Sequence, residues 1–328
     1  MAMVGRDGMP DEVVDEVVEA QDARPPGREA EGTDVAGEFA RRRESLFAVA
    51  YRILGTRADA EDVVQEAWLR WSRVDPGEVE DPRGYLFRLV TNQAIDQLRR
   101  VRARRESYVG PWLPEPLLTA FEVSDPSGAD GGPDVGRQVE LAESVSMGLL
   151  VVLETLAPVE RAVFVLHEAF GYTYAEIGAI LGRTERGVRQ LAYRARQHVQ
   201  ARRPRQRPTA SQHREITERF LAAAVGGDLG ALMDLLAPDV TMWADADGRS
   251  ETPREALHGA VVVARYLASV REFWPDGLGV EVVEVNTGPG AVVRANDHPY
   301  LVFALELDGQ RVQTIRAVLN PDKLAHLR

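Results

Sequence analysis

A cluster of arginines around residue 190 is the feature of this sequence best suited to a chemical task. Arg186, Arg189, Arg194 and Arg196 recur at helical spacing within 183-RTERGVRQLAYRARQHV-199. A guanidinium group donates two parallel hydrogen bonds, which suits guanine edges and phosphate oxygens. These side chains therefore predict a helix face that binds duplex DNA. The alternative interpretation is a solvated helix face in an ordinary bundle.

The residues around these arginines predict the elements that would present them. Residues 173–181 have the apolar face of a short helix, and Gly182 follows where a left-handed helix end is expected. Thr184 is suited to cap the next helix, whose apolar inner stripe runs from Val188 to Ala195. Two helices joined by a short glycine turn form a helix-turn-helix, and its second helix can enter the major groove.

A second basic helix is predicted upstream, within 81-DPRGYLFRLVTNQAIDQLRRVRARRESY-108. Asp81 can cap this helix, with Pro82 at its first position. Its outer face carries Arg88, Asn92, Asp96, Arg99 and Arg100. The arginines would neutralise phosphates, and the Asn92 amide can both donate and accept hydrogen bonds. An ion pair of Asp96 with Arg99 or Arg100 accounts for Asp96 equally well.

An acidic helix face lies before this basic helix, within 57–71. It carries Asp59, Asp62, Gln65 and Glu66 opposite an apolar stripe. Such a face suits a basic partner surface. Taken alone, a solvated acidic face is the simpler interpretation.

Basic side chains are concentrated in two parts of a chain whose net charge is −12. Residues 39–107 carry +3 and 146–208 carry +5, whereas 1–38, 108–145 and 209–328 carry −8, −6 and −6. This alternation predicts two modules that face nucleic acid, with chance clustering of surface charge as the alternative.

Composition also excludes several classes of protein. The chain of 328 residues has no Cys, which excludes a disulfide scaffold, a zinc finger and a thiol nucleophile. We expect no signal peptide and no membrane-spanning segment, because the sequence lacks a basic start followed by an apolar core and lacks an apolar run of about 18 residues. A cytoplasmic location is therefore expected.

Composition shifts divide the chain into six segments. They are an acidic, disordered N-terminal tail (1–38), a helical domain (39–107), a linker (108–145), a second helical domain (146–204), a short linker (205–212) and a C-terminal domain (213–328). In the last segment helices precede β-rich runs, and Asp308-Gly309 predicts a hairpin between the last two runs. Helices followed by antiparallel strands predict an α+β domain.

Two stretches resemble the promoter-binding regions of bacterial extracytoplasmic-function (ECF) sigma factors. 149-LLVVLETLAPVERAVFVLHEAFGYTYAEIGAILG-182 resembles region 4, and 46-LFAVAYRILGTRADAEDVVQEAWLRW-71 resembles region 2. The resemblance implies that the arginine face near residue 190 binds the −35 promoter element. It implies that the acidic face docks on the RNA polymerase clamp. It also implies that the basic helix after residue 81 reads the −10 element, captures a flipped base and assists strand opening. The implied architecture is two all-α sigma domains followed by a further domain.

The C-terminal domain resembles a SnoaL-like domain, a cone of helices wrapped by a curved sheet. The stretch 216-ITERFLAAAVGGDLGALMDLLAPDVTMWADADG-248 carries this resemblance. WLPEP (112–116), NPDKL (320–324) and 245-DADGR-249, an altered form of a DGGGK-type motif, resemble those of the ECF subfamily with a fused SnoaL-like extension. In that subfamily the extension is a regulator, whose sign the sequence leaves open.

The paired motifs predict a regulatory contact between the linker and the C-terminal domain. We expect Trp112 to pack beside Asn320–Leu324, with Asp322 or Lys323 making polar bonds. The predicted regulatory residues are Trp112, Leu113, Pro114, Asp247, Arg249, Asn320, Asp322 and Lys323. A stiff polyproline-like spacer is the alternative interpretation of WLPEP.

No cofactor, metal or reaction is predicted for this chain. SnoaL-like domains include enzymes with an Asp/His pair, and the candidates here are His258, His298, Asp239, Asp245 and Asp297. Nothing in the sequence shows that two of them converge, so an enzyme is the less favoured hypothesis, and an unidentified small ligand of the cone is a further one. The main alternative to a sigma factor is a ligand-responsive helix-turn-helix regulator that acts without core polymerase.

Overall fold

A computed structural model describes residues 35–75, 78–105, 108–119, 146–201, 208–249, 252–275 and 277–327. Most of the predicted tail and residues 120–145 of the long linker lie outside the described residues. Residues 35–38, which we assigned to the disordered tail, instead begin a helix. The reason is local packing: Phe39 is buried, and Trp71 Nε1 donates to the Val35 carbonyl oxygen over 2.8 Å.

The first helical domain contains four helices, α1 (Val35–Ala40), α2 (Arg43–Leu54), α3 (Arg57–Trp71) and α4 (Pro82–Arg105). Gly55 ends α2 in the left-handed conformation (φ 79°), where a side chain would also approach Trp112 and Glu154. Fully buried Trp71 and Leu86 fill the space between α3 and α4.

The second helical domain consists of α5 (Met147–Glu154), α6 (Pro158–Phe164), α7 (Tyr174–Leu181) and α8 (Glu185–Gln200). A π-helical turn (Val165–Ala169) continues α6. Thr173 and Thr184 cap α7 and α8, and Gly182 ends α7 at φ 63°. The predicted helix-turn-helix is therefore confirmed in its caps and its turn.

The two helical domains share one hydrophobic core. Phe87 of α4 contacts Phe170 and Tyr172, with ring centroids 6.0 and 5.3 Å apart. Arg161, with no exposed surface, donates from Nε to the Arg52 carbonyl oxygen over 2.8 Å. The structure is therefore a closed arrangement, in which the two helical domains form one packed unit.

The C-terminal domain combines four helices with a curved sheet. The helices are α9 (Ala210–Gly226), α10 (Leu229–Leu235), α11 (Ala260–Val270) and α12 (Pro321–Leu324). The strands are β1 (Leu118–Thr119), β2 (Leu236–Asp245), β3 (Leu257–His258), β4 (Leu278–Val285), β5 (Gly288–Ala295), β6 (His298–Asp308) and β7 (Arg311–Val318), in the order β1-β4-β5-β6-β7-β2-β3. The α+β architecture is confirmed, as is the final hairpin, which turns at Gly309 and Gln310.

Two features of this sheet differ from the antiparallel sheet that we expected. Strand β2 pairs in parallel with β7, because the chain leaves β2 through α11 and the β4–β6 meander before it returns beside β2. Strand β1 comes from the linker and pairs with the edge strand β4. The linker is therefore part of the C-terminal sheet.

The sheet is covered on both faces. On one face, α9, α10 and α11 enclose an apolar core that includes Phe220 and Phe303 in an edge-to-face contact at 6.3 Å. On the other face, Val302 and Val318 pack with Leu113 of the linker and Met147 of α5. This second cluster joins the C-terminal domain to the rest of the chain. Across the described ranges, no helix has the length and apolar character needed to cross a membrane.

Candidate nucleic-acid interface and its regulatory contacts

The arginine face of α8 is open to solvent. Arg186 is exposed, and Arg189 and Arg194 keep 65% and 64% of their side-chain surface accessible. Arg189 pairs with Glu185 at 2.5 Å and Arg194 pairs with Glu160 at 3.0 Å. Exposed pairs of this kind are weak and exchange readily. The face can therefore receive a polyanion without rearrangement of the domain.

Arg196, the fourth predicted contact, is engaged within the second helical domain. Its Nε lies 2.6 Å from Glu168 Oε1, and its Nη1 donates to the Tyr174 hydroxyl over 2.9 Å. Tyr174 also stacks on His167, with centroids 4.5 Å apart. A DNA contact by Arg196 would have to share or replace these bonds.

The predicted base-reading face of α4 is partly covered by the second helical domain. Asn92 Nδ2 donates to the Ile180 carbonyl oxygen of α7 over 3.1 Å. Arg88, Arg99 and Arg100 remain exposed, and Asp96 pairs with Arg99 at 2.8 Å, as one of our two interpretations expected. In this arrangement one N–H of the Asn92 amide is engaged by α7, although the residue itself is exposed.

The acidic face of α3 is divided between structural and exposed groups. The Asp59 carboxylate accepts from Thr56 Oγ1 (2.5 Å) and from Gln97 Nε2 (2.9 Å), and so ties α3 to α4. Asp62, Gln65 and Glu66 are exposed, and Glu66 pairs with Arg70 at 2.9 Å. The exposed three form the surface that a partner can reach.

The structure brings the WLPEP and NPDKL motifs together around Lys323, the only lysine of the sequence. Its Nζ donates to the Leu113 carbonyl oxygen (2.6 Å) and lies 4.2 Å from the centroid of the Trp112 ring. Leu113 and Pro114 are buried beside it. The linker is therefore held by a cation–π contact and a charge-assisted hydrogen bond from one side chain.

Asp245 completes this contact, and we did not predict that role. Its Oδ2 lies 2.5 Å from Lys323 Nζ and accepts from the Leu113 backbone N–H over 2.7 Å. Its Oδ1 accepts from the Tyr108 hydroxyl, to which Asn320 Nδ2 also donates over 2.9 Å. Burial and the neighbouring carboxylate raise the pKa of Tyr108, so its hydroxyl remains a donor. The first Asp of DADGR was the available signal, but its partners are far away in sequence.

The other predicted regulatory residues form a more exposed layer above this contact. Arg249 pairs with Asp322 at 2.7 Å and approaches Asp247 at 3.7 Å. The Arg249 guanidinium holds the pKa of the Asp322 carboxyl below its usual range. Asp247 adopts a left-handed backbone (φ 50°), which Asp tolerates better than most residues.

The C-terminal domain also touches the second helical domain directly. The Glu306 carboxylate of β6 lies against Gly148 in the first turn of α5, where any side chain would overlap it. Arg316 of β7 pairs with Glu306 at 2.9 Å. An anion at a helix N-terminus is favourable, and glycine at position 148 lets the Glu306 carboxylate approach α5 in this conformation.

Among the described residues, no hydrogen bond or ion pair joins two of the candidate catalytic residues of the C-terminal domain. His258, His298, Asp239 and Asp297 are exposed, whereas Asp245 is buried and bonded as described. Two surface cavities are present. One of about 320 Å³ is lined mainly by apolar residues beside the start of α11, and one of about 180 Å³ lies between Arg249 and Tyr300.

Comparison with known proteins identifies relatives over most of the chain. The family models for Sigma-70 region 2 and Sigma-70, region 4 match residues 39–105 and 146–199. The chain is 37% identical over 302 residues to the ECF RNA polymerase sigma factor SigJ of Mycobacterium tuberculosis. This alignment covers 87% of this chain and 92% of SigJ. The chain is 31% identical over 297 residues to the probable ECF RNA polymerase sigma factor SigI of the same species, covering 90% and 96%. The crystal structure of M. tuberculosis SigJ matches with a TM-score of 0.69 and 34% identity, over 89% of this chain and 98% of that one.

Proposed function

The chain belongs to the extracytoplasmic-function RNA polymerase sigma factors, and from this premise we propose how its three domains divide the work of initiation. Membership confirms the resemblance of its two helical domains to sigma regions 2 and 4. The protein directs RNA polymerase to promoters, which is a binding function and not a catalysed reaction. Its partners are therefore RNA polymerase and promoter DNA, and we propose that it works where they are, in the cytoplasm.

We assign the promoter contacts to the two arginine-bearing helices. Arg186, Arg189, Arg194 and Arg196 of α8 bind the −35 element. Arg88, Asn92, Asp96, Arg99 and Arg100 of α4 bind the −10 element. Asp62, Gln65 and Glu66 contact the polymerase clamp, while Asp59 supports their helix. The support for this division is the exposure of these side chains. Arg196 and Asp59 are the exceptions, because both are half-buried and bonded within the protein.

The packing of the two helical domains on each other is the main support for a regulated sigma factor. Elements centred near −10 and −35 lie roughly 80 Å apart on B-DNA. Two domains that share one core cannot contact both, and Asn92 is bonded to Ile180. The closed arrangement is therefore the polymerase-free state, and the two helical domains separate when core polymerase is bound.

The C-terminal domain restrains this opening. It holds the linker through Lys323 and Asp245, and it touches α5 through Glu306. A domain that binds both neighbours while they pack on each other stabilises the closed arrangement. We propose that it inhibits in this state, and that its role is regulatory and not catalytic. A small ligand in one of its surface cavities would be an additional regulator.

Transcription with purified core polymerase tests this function. The full chain should yield promoter-specific transcripts only when core is present. Specific binding to promoter duplex without any transcript would favour the alternative of a polymerase-independent helix-turn-helix regulator. A chain truncated after residue 207 should give higher promoter output than the full chain, and a collapse of output would overturn the inhibitory assignment. Turnover of small carbonyl substrates by residues 210–328 would support the enzyme hypothesis.

A further inference from the structure

Asn286 connects the C-terminal domain to two other parts of the protein. It lies in the two-residue turn between β4 and β5, has no exposed surface and adopts φ 49°. Its backbone N–H donates to the Leu117 carbonyl oxygen (2.8 Å), and its Oδ1 accepts from the Leu117 N–H (3.1 Å). Its Nδ2 donates to the hydroxyl of Tyr51 over 2.7 Å. The left-handed turn accounts for the presence of Asn at this position. However, the partners in all three hydrogen bonds, Leu117 and Tyr51, lie outside the C-terminal domain.

Tyr51 is the group on the first helical domain that receives this contact. It lies on α2, is 1% exposed, and donates from its hydroxyl to the Glu115 carbonyl oxygen over 2.6 Å. Burial raises the pKa of Tyr51, so the hydroxyl keeps its proton and can accept from Asn286 while it donates to the linker. One oxygen atom thus joins α2, the linker and the C-terminal domain.

Further bonds fix the linker at the same place. The Glu115 N–H donates to the Gly55 carbonyl oxygen (2.8 Å), and Glu115 Oε2 accepts from the Arg57 N–H (2.7 Å). Residues 115–117 therefore bond to the start of α3 on one side and to Asn286 on the other. This junction lies on the opposite side of Pro114 from Leu113, which Lys323 holds.

We infer that Asn286 and Tyr51 are positioning residues through which the C-terminal domain holds the first helical domain in the closed arrangement. This contact is separate from the one between WLPEP and NPDKL. It joins the C-terminal domain directly to the first helical domain, because Asn286 and Tyr51 bond to each other without the linker between them. Tyr51 lies on α2, which packs against α3 and α4. Release of its hydroxyl therefore frees the polymerase-binding and −10-binding helices together. The inference rests on the proposed regulatory role.

A double-mutant cycle in the full chain tests it. Tyr51→Phe removes the hydroxyl and keeps the buried ring. Asn286→Gly removes the amide and keeps the left-handed turn. Asn296→Gly is the matched control, because Asn296 has the same φ of 49° in the turn between β5 and β6 but is exposed. Since the chain has no Cys, dyes at Ser72→Cys and Glu218→Cys report the separation of the two domains by energy transfer.

Tyr51→Phe and Asn286→Gly should each lower the docking equilibrium constant at least about fivefold, because each removes the shared hydrogen bond and one bond to the linker. The double variant should lower this constant by less than the product of the two single effects, because both single variants remove the same Asn286–Tyr51 bond. Promoter output should shift in the direction produced by truncation after residue 207. Asn296→Gly should change neither readout. Additive effects, or an unchanged docked population in variants with wild-type circular dichroism, overturn the inference. If even the wild type yields no transcript, the proposed function fails, whereas the energy-transfer result still decides whether the two residues are coupled.

Discussion

Lys323 Nζ lies 2.5 Å from Asp245 Oδ2, and the two side chains are only 8% and 0% exposed. The same carboxylate oxygen accepts from the Leu113 N–H, and the same ammonium donates to the Leu113 carbonyl oxygen. The ion pair is thus built around one linker residue. Removal of the linker would deprive each buried charge of a hydrogen bond to the Leu113 backbone. The ion pair and the bound linker therefore stabilise each other.

Loss of one partner of this pair should be costly. Lys323→Ala leaves a buried carboxylate uncompensated, and we expect the free energy of unfolding to fall by about 3–5 kcal/mol. Urea denaturation followed by tryptophan fluorescence measures the change. Arg249→Ala, which breaks the exposed pair with Asp322, is the control and should have no measurable effect. Equal effects of the two variants would contradict the structural role of the buried pair.

Removal of arginines from the face of α8 should weaken binding to −35 duplex DNA and reduce its dependence on salt. For Arg189→Ala with Arg194→Ala, the slope of log K against log salt should become shallower by roughly 0.9 for each phosphate that the variant no longer neutralises. Fluorescence anisotropy over a salt series measures it. Arg219→Ala with Arg265→Ala removes the same charge from exposed positions of the C-terminal domain. A slope that changes equally in both double variants would refute the assignment.

Neutralisation of the acidic face of α3 should weaken the complex with core polymerase. Asp62→Ala with Glu66→Ala removes two exposed carboxylates, and affinity should fall roughly threefold to tenfold, more strongly at low salt. Surface plasmon resonance with immobilised core enzyme measures the affinity. Glu215→Ala with Glu218→Ala, on exposed positions of α9, is the charge-matched control and should leave it unchanged.

Binding to core polymerase should separate the two helical domains. Dyes at Ala103→Cys of α4 and Gln197→Cys of α8, both exposed positions, should show efficient energy transfer in the free protein and a marked loss on addition of core. A pair at Ser72 and Ala103, within the first helical domain, should not change. High transfer between α4 and α8 in a complex that makes transcripts would show that the closed arrangement is compatible with initiation.

The stability of the C-terminal domain should depend on the protonation of His213. Burial lowers the pKa of this imidazole below its usual 6.5, while Nε2 donates to the Leu305 carbonyl oxygen over 3.1 Å and Glu306 opposes the shift. The unfolded chain therefore binds a proton near pH 6.5 that the folded chain takes up only at lower pH. The contribution of His213 to the free energy of unfolding should be fully present above about pH 7. It should decline as the pH falls through the pKa of His213 in the folded protein.

His213→Gln provides the test of this pH dependence, since Gln keeps a donor and does not titrate. Urea unfolding from about pH 7.5 to 5.5 should show a smaller decline for His213→Gln than for the wild type. Parallel curves for the two proteins would mean that other groups cause the decline.

Local sequence signals were sufficient for the helices and most strands. Thr173, Gly182 and Thr184 mark helix ends through bonds within four residues, so their roles can be read from neighbours. The parallel pairing of β2 was not predicted, because its partner β7 lies about 70 residues later in the sequence. The role of Asp245 in the linker contact was not predicted for the same reason, since its bond to Leu113 spans 132 residues. The linker motif and the NPDKL motif indicated a contact, but only the fold shows that Asp245 and Tyr108 complete it.

The pairing of β1 with β4 has a mechanical consequence for promoter recognition. Residues 108–119 lie along the C-terminal domain, so they add nothing to the free span between α4 and α5. Their release would lengthen that span by roughly 40 Å of extended chain. On the proposed regulatory role, we expect the bound linker to limit the distance between α4 and α8, so promoters with long and short spacers should respond differently when the linker is released.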